Sequence, residues 1–371
     1  MTKPGRGRLH FIDAARSLAV AFAMFAHAMI TFGAWDREFV SPVRYLAQAA
    51  PPLFIMMFGM MLEVVYAPRL ERGETGPVAR RFALRSLQCY LGYAATALAA
   101  LAAGQLSVSG AGRALLLQRP VPLSTILIFY CFALLAAVPL LLLRRRFGAR
   151  GLVVLLGVVW AVRPLLAMLG GGGRGAWWWM PLGSLVGVAG RPLGPSVLFG
   201  MTFVVLGMLV AQPLRGRDEA AFAGFLRRAG LIAAAAGAVL AAHLALDGPG
   251  AVAGRFFAYA DYATFYRRAD HPAYFAAGTL LALGWLVLLT SVVPRNRPLP
   301  GWARAPLEFG RSALLAFSLG NVILILLPLS LRPMSSPGRV GAAWVFIAVL
   351  LAILHGYAHA RRLLVGRRSP P

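Results

Sequence analysis

Residues 8–33 read Arg-Leu-His-Phe-Ile-Asp-Ala-Ala-Arg-Ser-Leu-Ala-Val-Ala-Phe-Ala-Met-Phe-Ala-His-Ala-Met-Ile-Thr-Phe-Gly. The run is long and apolar enough to cross a bilayer, yet it carries Asp13, Arg16 and His27. Ionisable groups at that depth cost a few kcal/mol each on insertion scales, about 2.5–3.5 for Asp or Arg, so they mark function by default. At about 100° per residue, Arg16 and His27 project within about 20° of one another, and Asp13 within about 60° of both. One stripe of one helix therefore holds an acid, a guanidinium and an imidazole, with roughly 16 Å along the axis between Arg16 and His27.

The rest of the chain is of the same kind. Hydrophobic residues make up 59% and charged residues only 13%, which excludes an ordinary soluble globular protein. Ten apolar segments can be marked, at 11–33, 46–66, 82–104, 121–143, 151–169, 194–212, 226–246, 271–293, 310–331 and 340–360. None alternates as barrel strands do, and lipid cannot satisfy free backbone groups, so the expected fold is all-α. It is a polytopic bundle of about ten transmembrane helices forming a single domain over residues 1–371. The first segment is too long and too charged to be a cleavable signal peptide and is read as an anchor.

The net charge of +25 raises the question of nucleic acid, and its distribution answers it. With the N-terminus inside, each inner segment carries three or four Lys and Arg, and each outer loop two or three. This is the positive-inside pattern, with both termini cytoplasmic and no nucleic-acid partner required. Cys89 and Cys131 fall inside predicted spans, so no disulfide framework is implied. A single lysine against 36 arginines, with abundant Ala and Gly, suggests a GC-rich bacterial genome, and with the apolar spans the expected location is a bacterial plasma (inner) membrane.

Asp13-x-x-Arg16 followed by His27 in a first membrane helix resembles the integral-membrane acyltransferase-3 family. Residues 52–62, Pro-Leu-Phe-Ile-Met-Met-Phe-Gly-Met-Met-Leu, resemble its second-helix Phe-x-x-Ser-Gly segment, with Phe58 where serine is usual. Arg80-Arg81-Phe82-Ala83-Leu84-Arg85-Ser86-Leu87-Gln88 resembles the Arg-rich start of its third helix, and Leu307-Glu308-Phe309-Gly310-Arg311-Ser312 a later segment. The resemblance implies an acyltransferase taking a short acyl group, such as acetyl, from cytosolic acyl-CoA. The recipient would be a hydroxyl or amine of an envelope sugar or glycolipid. It also implies a catalytic role for His27.

The residues themselves point to matching chemistry. An imidazole that titrates near neutrality can take a proton from an attacking hydroxyl, and an acyl-histidine route stays open beside it. Asp13 is placed to orient Arg16, and Arg16, Arg85 and Gln88 are candidates for the phosphates of the coenzyme, since an arginine fork suits phosphate oxygens. Outer loop 247–270 mixes acids, arginines and tyrosines, as a sugar-binding surface does, with Asp261, Asp270 and His271 as candidate contacts. His243 is read as a packing histidine and Asn321 as a helix–helix hydrogen-bonding residue. Glu63 is read either as interfacial or as a partner of Arg85 or Arg16, and Arg144–Arg146 as topology alone. His355 and His359 are four apart but lack a third ligand, so no metal is expected. The rival reading is a transporter of a polar or sugar-like solute, weakened by the lack of an inverted repeat.

Overall fold

The computed structural model describes residues 9–35, 41–169, 185–187, 196–216, 218–258, 262–293, 305–327 and 336–366. Every regular element among them is helical. The chain passes through α1 (His10–Thr31), α2 (Ser41–Gln48), α3 (Ala50–Met61), a π turn (Leu62–Tyr66), α4 (Ala67–Glu71), α5 (Thr75–Ala102) and α6 (Val108–Leu115). It continues through α7 (Thr125–Ala161), α8 (Arg163–Leu169), α9 (Val197–Ala211), a 3-10 turn (Gln212–Arg215), α10 (Glu219–Asp247) and α11 (Pro249–Phe257). A second π turn (Tyr262–Arg267) precedes α12 (Pro272–Val292), α13 (Glu308–Arg311), α14 (Ala313–Leu326) and α15 (Ser336–Gly366).

Among the described residues, seven helices are long and apolar enough to cross a membrane: His10–Thr31, Val43–Glu71, Thr125–Leu166, Val197–Arg215, Glu219–Asp247, Pro272–Val292 and Pro337–Arg361. The difference from the ten expected segments has three physical sources. Two expected spans run together in Thr125–Leu166, with a kink inside α7 at Gly148, whose φ of 66° and ψ of −156° suit a residue without Cβ. Helix α5 has 28 residues, but arginines and Gln88 in its first half dilute its apolar character. Helix α14 has 14 residues, short of the ~20 needed to span. Pro51 and Pro52 mark a fresh helix start. Both prolines sit in the first turn of α3, where their missing N–H groups have no intrahelical duty.

The chain divides into two compact units, Met1–Phe54 with Gly284–Pro371, and Ile55–Leu283. In the first, α1 packs against α13, α14 and α15. Gly320 of α14 lets Met24 come close, since a Cβ there would lie 2.7 Å from the Met24 sulfur. Gly310 of α13 abuts α1 even more tightly, its absent Cβ 2.6 Å from Ser17 Oγ and 2.8 Å from the Asp13 carbonyl oxygen.

In the second unit, α5 packs along α7, and α9 packs against α7, α10 and the first π turn. The α9 span is 67% buried, whereas α10 is 17% buried and turns its leucines and alanines outward. Lipid is as apolar as leucine, so burial alone does not hold such helices together; close backbone approach does. Gly59 faces the Val204 carbonyl and Gly207 the Met56 carbonyl, so the two backbones touch reciprocally. A hydroxyl adds to this elsewhere: Ser86 Oγ of α5 donates to the Cys131 carbonyl of α7 at 2.7 Å.

Glu63 corrects the sequence reading. It lies fully buried in the first π turn and pairs with neither Arg85 nor Arg16. Arg144 grips it with two bonds, Nε to Oε2 at 3.1 Å and NH2 to Oε1 at 2.9 Å. Arg215 approaches from the 3-10 turn at 2.9 Å and also holds Glu71 at 2.7 Å. A carboxylate taken out of water needs such compensation, so Arg144 carries a packing role beyond topology.

Candidate functional site

The stripe on α1 folds as its spacing predicts, and its neighbours come from the far end of the chain. Asp13 is buried at 6% exposure, while Arg16 and His27 are half-buried. Arg16 NH1 reaches the Gly310 carbonyl oxygen at 3.5 Å, a long contact. Ser17, one residue on, accepts a hydrogen bond from the Gly310 N–H at 2.9 Å. Beside it, Arg311 pairs with the buried Glu308 at 2.8 Å. The N-terminal part of the stripe is therefore locked onto α13 through a glycine backbone, with Arg16 along its rim.

About three turns further along, His27 Nδ1 lies 2.8 Å from Asn321 Oδ1 of α14. The Phe317 ring stands edge-on to the imidazole, with centroids 6.0 Å apart. The histidine thus sits against a second helix with one ring nitrogen committed to a fully buried amide. The helix-bonding role read for Asn321 is correct, but its partner was not legible. Nothing along the sequence links positions 294 residues apart. Ser17 was overlooked although a signal existed: it lies about 40° from Asp13 on the helical wheel.

The other candidates belong to the second unit. Arg85 and Gln88 are exposed on α5, joined by an Arg85 NH1 to Gln88 Oε1 bond of 3.0 Å. They line an open cleft of about 740 Å³ with Arg80, Arg81 and Leu84. Three guanidiniums along one cleft can receive an organic phosphate. Arg81 also lies 5.9 Å from the Tyr66 ring centroid.

Asp261 lies outside the described residues. Asp270 is buried, with φ of 47°, and its hydrogen bonds are internal. Its Oδ1 accepts from the Ser196 N–H at 3.0 Å, and its carbonyl oxygen accepts from Arg163 Nε at 2.9 Å. Burial holds its carboxyl up at about 6, with Ser196 and then Arg163 pulling the other way. His271 follows, its Nδ1 accepting from the Ala273 N–H at 3.2 Å. Burial first, then the neighbouring His243 and Arg163, push its imidazole down to about 4.

The structure gathers an aromatic cluster around His271 that sequence spacing does not reveal. The His243 ring lies 4.7 Å away and Phe265 and Tyr266 5.3 Å away, by centroids. His243 Nε2 meets the Tyr266 hydroxyl at 3.1 Å, and its Nδ1 is 3.9 Å from Asp247, which Arg255 holds at 2.8 Å. His243 is thus a packing histidine with a hydrogen-bonded partner at Tyr266.

Residues 8–110 match the family model described as OpgC protein. This corrects the resemblance to the acyltransferase-3 family. The Asp13, Arg16 and His27 stripe and the segments at 52–62 and 80–88 all lie inside the matched stretch. The two families are distinct, though both are membrane acyltransferase-like. A few polar positions on an apolar helix do not discriminate between them. No curated protein matches the chain.

Proposed function

We propose that the protein transfers a short acyl group from a cytosolic acyl-CoA to a hydroxyl of an envelope glucan, with His27 as general base. OpgC proteins form a glucan succinyltransferase family, and the match over residues 8–110 supports a succinyl or similar short acyl group and a glucan recipient. The observation that carries the reading is a half-buried imidazole within an apolar span, held by a second helix and sharing a helix face with a guanidinium about three turns away. In the reaction the glucan oxygen attacks the thioester carbonyl carbon. The C–S bond breaks, the hydroxyl proton passes to the imidazole, and the coenzyme leaves as a thiolate that takes the proton back.

The donor's phosphates would be met by Arg16, on the same helix as His27. The roughly 16 Å between Arg16 and His27 matches the need to keep the nucleotide end of a long donor apart from its thioester. The envelope lies across the bacterial inner membrane from the donor, so a catalytic group within a span serves both.

Mass spectrometry of envelope glucans and lipids, from cells with and without the protein, tests the reading. Loss of one acyl mass from the glucans of the deficient cells is the expected result, and re-expressing His27→Ala should not restore it. Unchanged glucan masses, or full restoration by the variant, would overturn the assignment.

A further inference from the structure

We infer that Asn321 is a positioning residue that fixes which nitrogen of His27 carries the proton. The inference rests on the acyl-transfer reading and adds a second residue to it. A neutral imidazole has one N–H and one lone pair, and the hydrogen bond made by the first decides where the second lies. The atom 2.8 Å from His27 Nδ1 is the amide oxygen of Asn321, which can only accept. Nδ1 therefore donates, and Nε2 holds the lone pair that takes the acceptor's proton.

Asn321 is suited to this by its surroundings. It is 0% exposed, so water does not compete for its oxygen. It lies on α14 one turn beyond Phe317, whose edge braces the same imidazole. Gly320, immediately before it, removes the side chain that would push α14 off Met24 of α1. Helix contact, ring brace and amide thus fall within five residues of one helix. An amide also has an advantage over a carboxylate in this place. It orients the ring without adding a charge to the span.

The test uses the full chain in lipid nanodiscs, labelled with ¹⁵N-histidine, and reads the His27 tautomer and glucan acylation together. Wild type should show His27 protonated at Nδ1. Asn321→Asp keeps an acceptor oxygen and should keep both that tautomer and transfer. Asn321→Leu removes the acceptor at similar volume; it should lose the Nδ1–H tautomer and lower kcat by about 10- to 100-fold, with the donor KM unchanged. A wild-type ring protonated at Nε2 overturns the proposal, as does Asn321→Leu with wild-type kcat. Failure of the two ideas is distinguishable. Full activity in His27→Ala overturns the base assignment and this inference together, whereas an inactive His27→Ala beside a fully active Asn321→Leu overturns this inference alone.

Discussion

Single residues show how costly polar groups are placed in this chain. Asp270 and His271 are adjacent, the first buried and the second half-buried, and their surroundings shift them in opposite senses. The carboxyl of Asp270 is raised to about 6, so the stability it contributes is complete below pH 4 and lost as pH rises through 6. A rise from 3.8 to about 6 corresponds to about 3 kcal/mol. The imidazole of His271 is lowered to about 4, so its contribution is complete above pH 6.5 and lost as pH falls through 4. The two slopes oppose one another over the same window, and wild-type stability should change little there. Thermal melts in detergent between pH 4 and 7 check this. Asp270→Asn should melt lower towards pH 4, and His271→Gln lower towards pH 7. Identical profiles for both variants and wild type would sink the assignment.

Among the elements, α3 and α9 depend on contact without side chains between them. Gly207→Ala gains about 1 kcal/mol of helix propensity but drives a methyl into the Met56 carbonyl. Overpacking of this kind costs about 1–3 kcal/mol and backbone atoms do not give way readily, so the variant should be less stable. Gly157→Ala in α7, with nothing within 4 Å, is the control and should melt at or above wild type. Equal melting temperatures for the two variants would show that the reciprocal glycine contact is unimportant. The same logic governs the candidate site. Gly310 lets Ser17 and Arg16 of α1 reach a backbone, an approach that any side chain would block.

At the scale of the whole molecule, the number of crossings sets where the ends lie. Seven crossings would put the termini on opposite sides. The ten apolar segments of the sequence, 310–331 among them, make an even number, which would return the C-terminus to the side of the N-terminus. The arginine distribution favours the even number, with Arg144–Arg146 next to the kink at Gly148. A fluorescent reporter fused to the C-terminus should therefore glow, and an alkaline phosphatase fused there should stay inactive. Active phosphatase at that position would mean an odd number of crossings.

The helical membrane fold was legible in composition and run length, because a bilayer leaves so few ways to satisfy a backbone. The Asp13, Arg16 and His27 stripe was legible for a related reason: helical periodicity is local, and charges in an apolar run stand out. Partnership was not legible. Asn321 meets His27, Gly310 meets Ser17, and Arg144 with Arg215 meets Glu63, each across dozens to hundreds of residues. Which helices touch is settled by small residues and shape, and in lipid no hydrophobic gradient ranks the choices in advance. The sequence alone determined that buried charge existed and on which helix face; only the tertiary structure decided what neutralises it and which groups the imidazole can work with.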